Sequence, residues 1–180
     1  MLSPLNTCLL VIDLQERMVP AIDNSKEIVK RAAALVRGMK LLDVPVIATE
    51  QYARGLGRTV AELQTAMGEL VPFEKTAFSC MKQEGFPEML KKSGCRNVVA
   101  IGVETHICVL LTVQDLAESG YNVYLAADCC GSRFKKDRHF GIERMRQLAV
   151  VATLESVLFE LMVTADHPKR KEIQKLITDF

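Results

Sequence analysis

The sequence predicts a three-layer αβα protein built on a doubly wound, six-stranded parallel sheet of Rossmann-like type. Six short apolar runs, rich in β-branched residues, begin at Thr7, Val44, Val71, Arg96, Tyr121 and Ala149. A run that is apolar at nearly every position, rather than every second one, marks a strand covered on both faces. Between the runs, apolar residues recur at three and four positions, the period of an amphipathic helix. Strand and helix patterns alternate without linker, repeat or low-complexity segment, which predicts βαβ units and one domain over residues 1–180.

Bulk properties narrow the function classes. With 180 residues, 49% hydrophobic and 25% charged, the chain is long enough for a substantial core. A net charge of +1 gives no electrostatic case for nucleic acid or an anionic membrane as partner. No apolar run nears membrane-spanning length, and Met-Leu-Ser-Pro-Leu-Asn at the start has no signal-peptide pattern, so a cytoplasmic protein is expected. Six cysteines include the adjacent Cys129 and Cys130 but no C-x-x-C pair, and His106, His139 and His167 are far apart. Reduced thiols are therefore expected, and no metal site.

The elements follow in order. Thr7–Ile12 is the first strand, and it ends in Asp13-Leu-Gln15. A carboxylate there lies where open α/β sheets bind ligands, although a helix cap or a loop salt bridge fits the same position. Ile28, Ala32, Leu35, Met39 and Leu42 form the apolar stripe of a helix from Ser25 to Leu42. Val44–Ala48 is the second strand, with Pro45 near its start, where a missing donor is tolerated. Thr49–Thr59 reads as a loop over the site, with Gln51 and Tyr52 either touching substrate or simply solvated. Its Gly55-Leu-Gly57 lacks the rest of a dinucleotide fingerprint and follows the wrong strand. Val71–Lys75 is a short third strand ending in a lysine, a residue that ordinarily stays in water. A helix from Glu84 to Lys92 leads to the central strand, Arg96–Ile101.

That strand opens into Gly102-Val-Glu-Thr-His-Ile-Cys108, and Leu110, Val113 and Ala117 carry a helix onward to Gly120. Cys108 is thus placed in the first turn of a helix, where unpaired N–H groups and a positive partial charge favour thiolate. The other reading of any cysteine is a small buried hydrophobe. His106 does not face the thiol, because residues two apart on a helix point in different directions. Tyr121–Ala127 is the fifth strand, Asp128–Arg133 a turn, Lys136–Gln147 a helix, Ala149–Thr153 the sixth strand and Glu155–Met162 a helix. In the 168–180 tail, Ile173, Leu176 and Ile177 share one face of a helix. Cys80, Cys95, Cys129 and Cys130 read as packing or loop thiols, with Cys80 near enough to Lys75 in sequence to line the site.

Val11-Ile-Asp-Leu-Gln15, Glu74-Lys-Thr-Ala-Phe-Ser79, Gly102-Val-Glu-Thr-His-Ile-Cys108 and Asp128-Cys-Cys-Gly-Ser-Arg133 resemble the isochorismatase-like cysteine hydrolases. The resemblance runs from about Thr7 to Met162, and Thr49-Glu-Gln-Tyr52 with Gly55-Leu-Gly57, and the His167-Pro168 tail, look most like the isochorismatase domain-containing subgroup. It implies a triad with Cys108 as nucleophile, Asp13 as base and Lys75 as the cation that holds Asp13 ionised. It also implies a cis peptide at Val103–Glu104 and an oxyanion hole made by the N–H groups of Glu104 and Cys108. Phe78 and Thr105 join Gln51 and Tyr52 as substrate-facing positions. Metal-dependent nicotinamidases of this superfamily use histidines that Thr49–Tyr52 lacks, so no metal and no cofactor is implied. True isochorismatases cleave a vinyl ether without a cysteine nucleophile, so Cys108 points instead to an amide, carbamoyl or other acyl substrate. A homo-oligomer is the implied assembly. A binding or scaffold protein that keeps the site without turnover is the alternative reading.

Overall fold

The computed structural model describes residues 1–178 of the chain, so the last two residues of the predicted 168–180 tail lie outside the described residues. Six strands form a single parallel sheet: β1 (Thr7–Ile12), β2 (Val46–Gln51), β3 (Phe73–Lys75), β4 (Asn97–Val103), β5 (Asn122–Gly131) and β6 (Ala149–Ala152). Their order is β3-β2-β1-β4-β5-β6. The chain therefore winds outward from β1 in one direction, then returns to β4 and winds the other way. Ligand sites of such sheets lie at that reversal, outside the carboxyl ends of the central strands.

β1 and β4 are buried along their whole lengths, as their uninterrupted apolar runs require. The helices are α1 (Ser25–Leu41), α2 (Ala53–Leu56), α3 (Ala61–Met67), α4 (Phe86–Lys92), α5 (Leu110–Glu118), α6 (Lys135–Met145), α7 (Leu154–Met162) and α8 (Arg170–Thr178). The α1 stripe of Ile28, Ala32, Leu35 and Met39 is buried. Gly38 lets α7 close on α1, because a Cβ there would stand 2.6 Å from a methyl carbon of Leu158. On α8, Ile173 is buried and Ile177 packs against the core. Among the described residues, no helix is long and apolar enough to cross a membrane.

Two stretches depart from expectation. Asp128–Gly131 continues β5 instead of turning, across a register irregularity opposite Ala100 and Gly102. The polar Asp128 is accommodated because its carboxylate accepts from Leu154 N at 2.9 Å and pairs with Arg31 at 3.2 Å. The loop expected over Thr49–Thr59 is also more ordered than predicted, and a helix unassigned from sequence follows it. β2 extends to Gln51, and the short α2 and α3 follow, with Leu63, Ala66 and Met67 of α3 buried. An apolar set under two turns long is too short to stand out as a period.

Candidate active site

The parallel topology brings Asp13, Lys75 and Cys108 to one edge, because each follows the carboxyl end of a strand. Asp13 comes directly after β1 with φ +54°, and its side chain is completely buried. Gly102 shapes this exit: with φ +128°, a Cβ there would fall 2.0 Å from the carbonyl oxygen of Ile12. Only glycine permits β4 to pass so close to the end of β1.

Lys75 Nζ lies 2.7 Å from Asp13 Oδ2, and neither side chain is exposed. The ammonium also donates to Gln51 Oε1 at 2.7 Å and to the carbonyls of Ala77 and Phe78 at 3.2 and 3.1 Å. The other carboxylate oxygen, Oδ1, accepts from Thr49 Oγ1 at 2.7 Å. A buried ion pair survives desolvation only when its remaining donors and acceptors are met, and this one meets that condition. The ordinary behaviour of a surface lysine is thereby overridden by geometry.

Cys108 sits in a π-helical turn, Thr105–Val109, that precedes α5, rather than in the first turn of an α-helix. Its residue is only 4% exposed. Burial and the negative charge of Asp13 push its thiol up to about 12, with Lys75 pulling the other way and a hydrogen bond to Asp13 adding to the rise. Desolvation and the Asp13 carboxylate thus act against the thiolate that a helix N-terminus favours, while Lys75 acts for it.

The turn is fastened residue by residue to the end of β5. The peptide bond between Val103 and Glu104 is cis. The Glu104 carboxylate accepts from Arg133 N at 2.9 Å and from Arg133 Nε at 3.2 and 3.1 Å. Thr105 Oγ1 donates to the Gly131 carbonyl at 2.9 Å, and His106 Nδ1 lies 3.0 Å from Ser132 Oγ. The Glu104 carbonyl accepts from Ile107 N at 3.0 Å and Val109 N at 3.3 Å, the residues on either side of Cys108.

The remaining residues named from sequence divide into three groups. Tyr52 and Phe78 are exposed, at 58% and 59%, and are free to meet a ligand. Gln51 belongs to the lysine's cage, since its Nε2 donates to Thr76 O at 2.8 Å while its Oε1 receives Lys75. Thr105 is fully buried with its hydroxyl bonded to Gly131, which corrects its placement toward substrate. Cys80 is fully buried against the site: its Sγ is 3.9 Å from Thr49 Oγ1, and burial pushes it up to about 11 with the Asp13 charge adding to the rise. All six cysteines are free thiols.

Sequence reasoning missed Thr49, Gln15 and Arg133. Thr49 is the register partner of Ile12, so its position beside Asp13 follows from pairing two carboxyl ends of parallel strands. Gln15 ties β1 to the loop after β2, accepting from Gln51 N at 2.7 Å and donating to the carbonyls of Gln51 and Gly57 at 3.0 and 2.7 Å. Arg133 closes one of the motifs that carry the resemblance, but its partner Glu104 is 29 residues away and no local pattern names it.

A carboxylate, an ammonium and a thiol thus gather at the switch point of an open parallel sheet in an α/β fold. Residues 7–156 match the isochorismatase domain family, and the chain belongs to it. Isochorismatase domain-containing protein 1 of Salmo salar is 40% identical over 98% of this chain, which spans only 62% of that relative's length. A solved structure described as MAR1 ribonuclease from Caenorhabditis elegans superposes with a TM-score of 0.91, at 41% identity, covering 98% of this chain and 92% of that one. The YcaC product of Escherichia coli, described as an octameric hydrolase of unknown specificity, shares the fold with a TM-score of 0.86 at 22% identity, covering 99% and 95% of the two chains.

Proposed function

We propose that this family hydrolase is a metal-independent cysteine enzyme that cleaves small amide-like substrates through a thioester at Cys108. The observation that carries the reading is the fully buried Lys75–Asp13 pair, 2.7 Å apart, beside the Cys108 thiol. The thiol sulfur adds to the substrate carbonyl carbon while Asp13 takes its proton, and the carbonyl π electrons move to oxygen. The N–H groups of Glu104 and Cys108 receive that oxyanion. Collapse expels the amine, which leaves with the proton from Asp13. Water then attacks the thioester, giving a proton to Asp13, and the second collapse returns it to the departing sulfur. Lys75 keeps Asp13 in place through its 2.7 Å contact. Tyr52 and Phe78 form the outer wall met by the substrate, and a homo-oligomer encloses these exposed aromatic residues.

The test is a panel of primary amides, N-carbamoyl compounds and ureas, with released ammonia measured and acyl adducts sought by intact mass. Hydrolysis that needs Cys108, with an adduct on that residue, is the expected result. Labelling of Cys108 with no hydrolysis across the panel would favour the scaffold reading. RNA belongs in the same panel because of the Caenorhabditis elegans relative. RNA cleavage that survives Cys108→Ala would place a different chemistry on this fold.

A further inference from the structure

We propose that Arg133 is a positioning residue that holds the oxyanion-binding turn in its working geometry through Glu104, without touching the substrate. The inference rests on the cysteine-hydrolase reading and goes beyond it, since no part of that mechanism requires Arg133.

Glu104 presents three polar groups. Its carboxylate is held by Arg133 through the backbone N and Nε, and its carbonyl by the N–H groups of Ile107 and Val109. The third group is the N–H assigned to the oxyanion. With the other two fixed, rotation of this residue is opposed from both sides. Among the described residues, Arg133 holds the side chain, its Nε meeting both carboxylate oxygens in a charge-assisted contact that adds orientation to the backbone N–H bond. Neighbouring anchors act on Thr105 and His106, and Gly141 of α6 supports the turn from behind, where a Cβ would stand 3.0 Å from the His106 Cα. Arg133 itself has a side chain 53% exposed, so its own burial is not what the fold needs from it.

Two probes separate this role from a structural one. Iodoacetamide, with mass spectrometry locating the adduct, reads the reactivity of the Cys108 thiol. Propanal reads the oxyanion site: the thiol sulfur bonds to the aldehyde carbon, the π pair moves to oxygen, and the thiol proton passes to that oxygen to give a hemithioacetal. Its affinity is measured as protection of Cys108 against iodoacetamide. Arg133→Ala is expected to weaken propanal binding by about ten- to a hundredfold, as small misplacements of reacting groups do. The alkylation rate of Cys108 is expected to stay within about twofold of wild type, since the thiol and its base are untouched. Added ethylguanidinium, which fits the gap left at an exposed position, restores part of the lost propanal affinity. Unchanged propanal affinity in Arg133→Ala overturns the proposal, as does an equal loss in both probes, which would mean general loosening. A wild-type Cys108 that neither alkylates nor binds propanal overturns the hydrolase reading, and the role of Arg133 falls with it.

Discussion

Two ion pairs serve the turn that carries Cys108, and they are built in opposite ways. Lys75–Asp13 is sealed from water at 2.7 Å, with every remaining acceptor near the ammonium drawn from Gln51, Ala77 and Phe78. Arg133–Glu104 stands at the rim, its carboxylate nearly buried but its guanidinium half in solvent. Burial makes the first pair costly to form and more costly to break, because removing one partner strands a charge in low dielectric. Screening makes the second pair weak as a source of stability while leaving its directional value intact. In the proposed mechanism the first pair handles the proton of Cys108, and the second holds the orientation of its turn.

Asp13→Asn should break the comparison most severely. Loss of the base is expected to lower hydrolysis by at least about a hundredfold. The same change removes the negative charge that holds the thiol up, so alkylation of Cys108 at pH 8 should become faster. Slower alkylation would contradict the present account of the resting thiol. Lys75→Met comes next: it leaves Asp13 buried without its counter-charge, and denaturant titration should show a loss of about 3–5 kcal/mol. Cys108 alkylation should slow, because the cation that lowers its pKa is gone.

The pH dependence of folding sharpens the contrast between buried and rim groups. Cys80, Cys108 and Cys130 are raised from 9.0 to about 11, 12 and 12 by burial. A raised folded-state value favours the protonated fold, so this contribution is complete below pH 9 and is lost as pH rises from there toward 12. Thermal melts are expected to fall across that alkaline window, and Cys→Ser changes at the site should leave the other two contributions in place. The smallest effect belongs to the rim: Arg133→Ala should change unfolding free energy by less than about 1 kcal/mol, by the measure of exposed pairs.

Much of this organisation is legible in the sequence because parallel strands impose it. Once Thr7–Ile12, Val71–Lys75 and Arg96–Ile101 are read as strands of one parallel sheet, the residues after them must meet at one edge, whatever the loops do. Burial is less legible. Nothing local to Lys75 says that its ammonium is caged, and nothing local to Cys108 says that its thiol is desolvated beside a carboxylate. The extension of β5 through Asp128–Gly131 was hidden for a related reason: Asp128 is paired with Arg31 and capped by Leu154 N, both distant in sequence.

The central position of β1 has a consequence for the birth of the protein. β1 is the first strand in the chain, yet its neighbour β4 begins only at Asn97, and the bond from Lys75 to Asp13 joins residues 62 apart. During synthesis, a fully apolar strand must therefore wait through most of a sheet's length of chain before its second edge is covered. The carboxylate at its tip waits for the ammonium in the same way. Contacts of such long sequence separation form late and slowly. A nascent chain stalled before β4 would expose the edge most prone to pairing with a foreign strand.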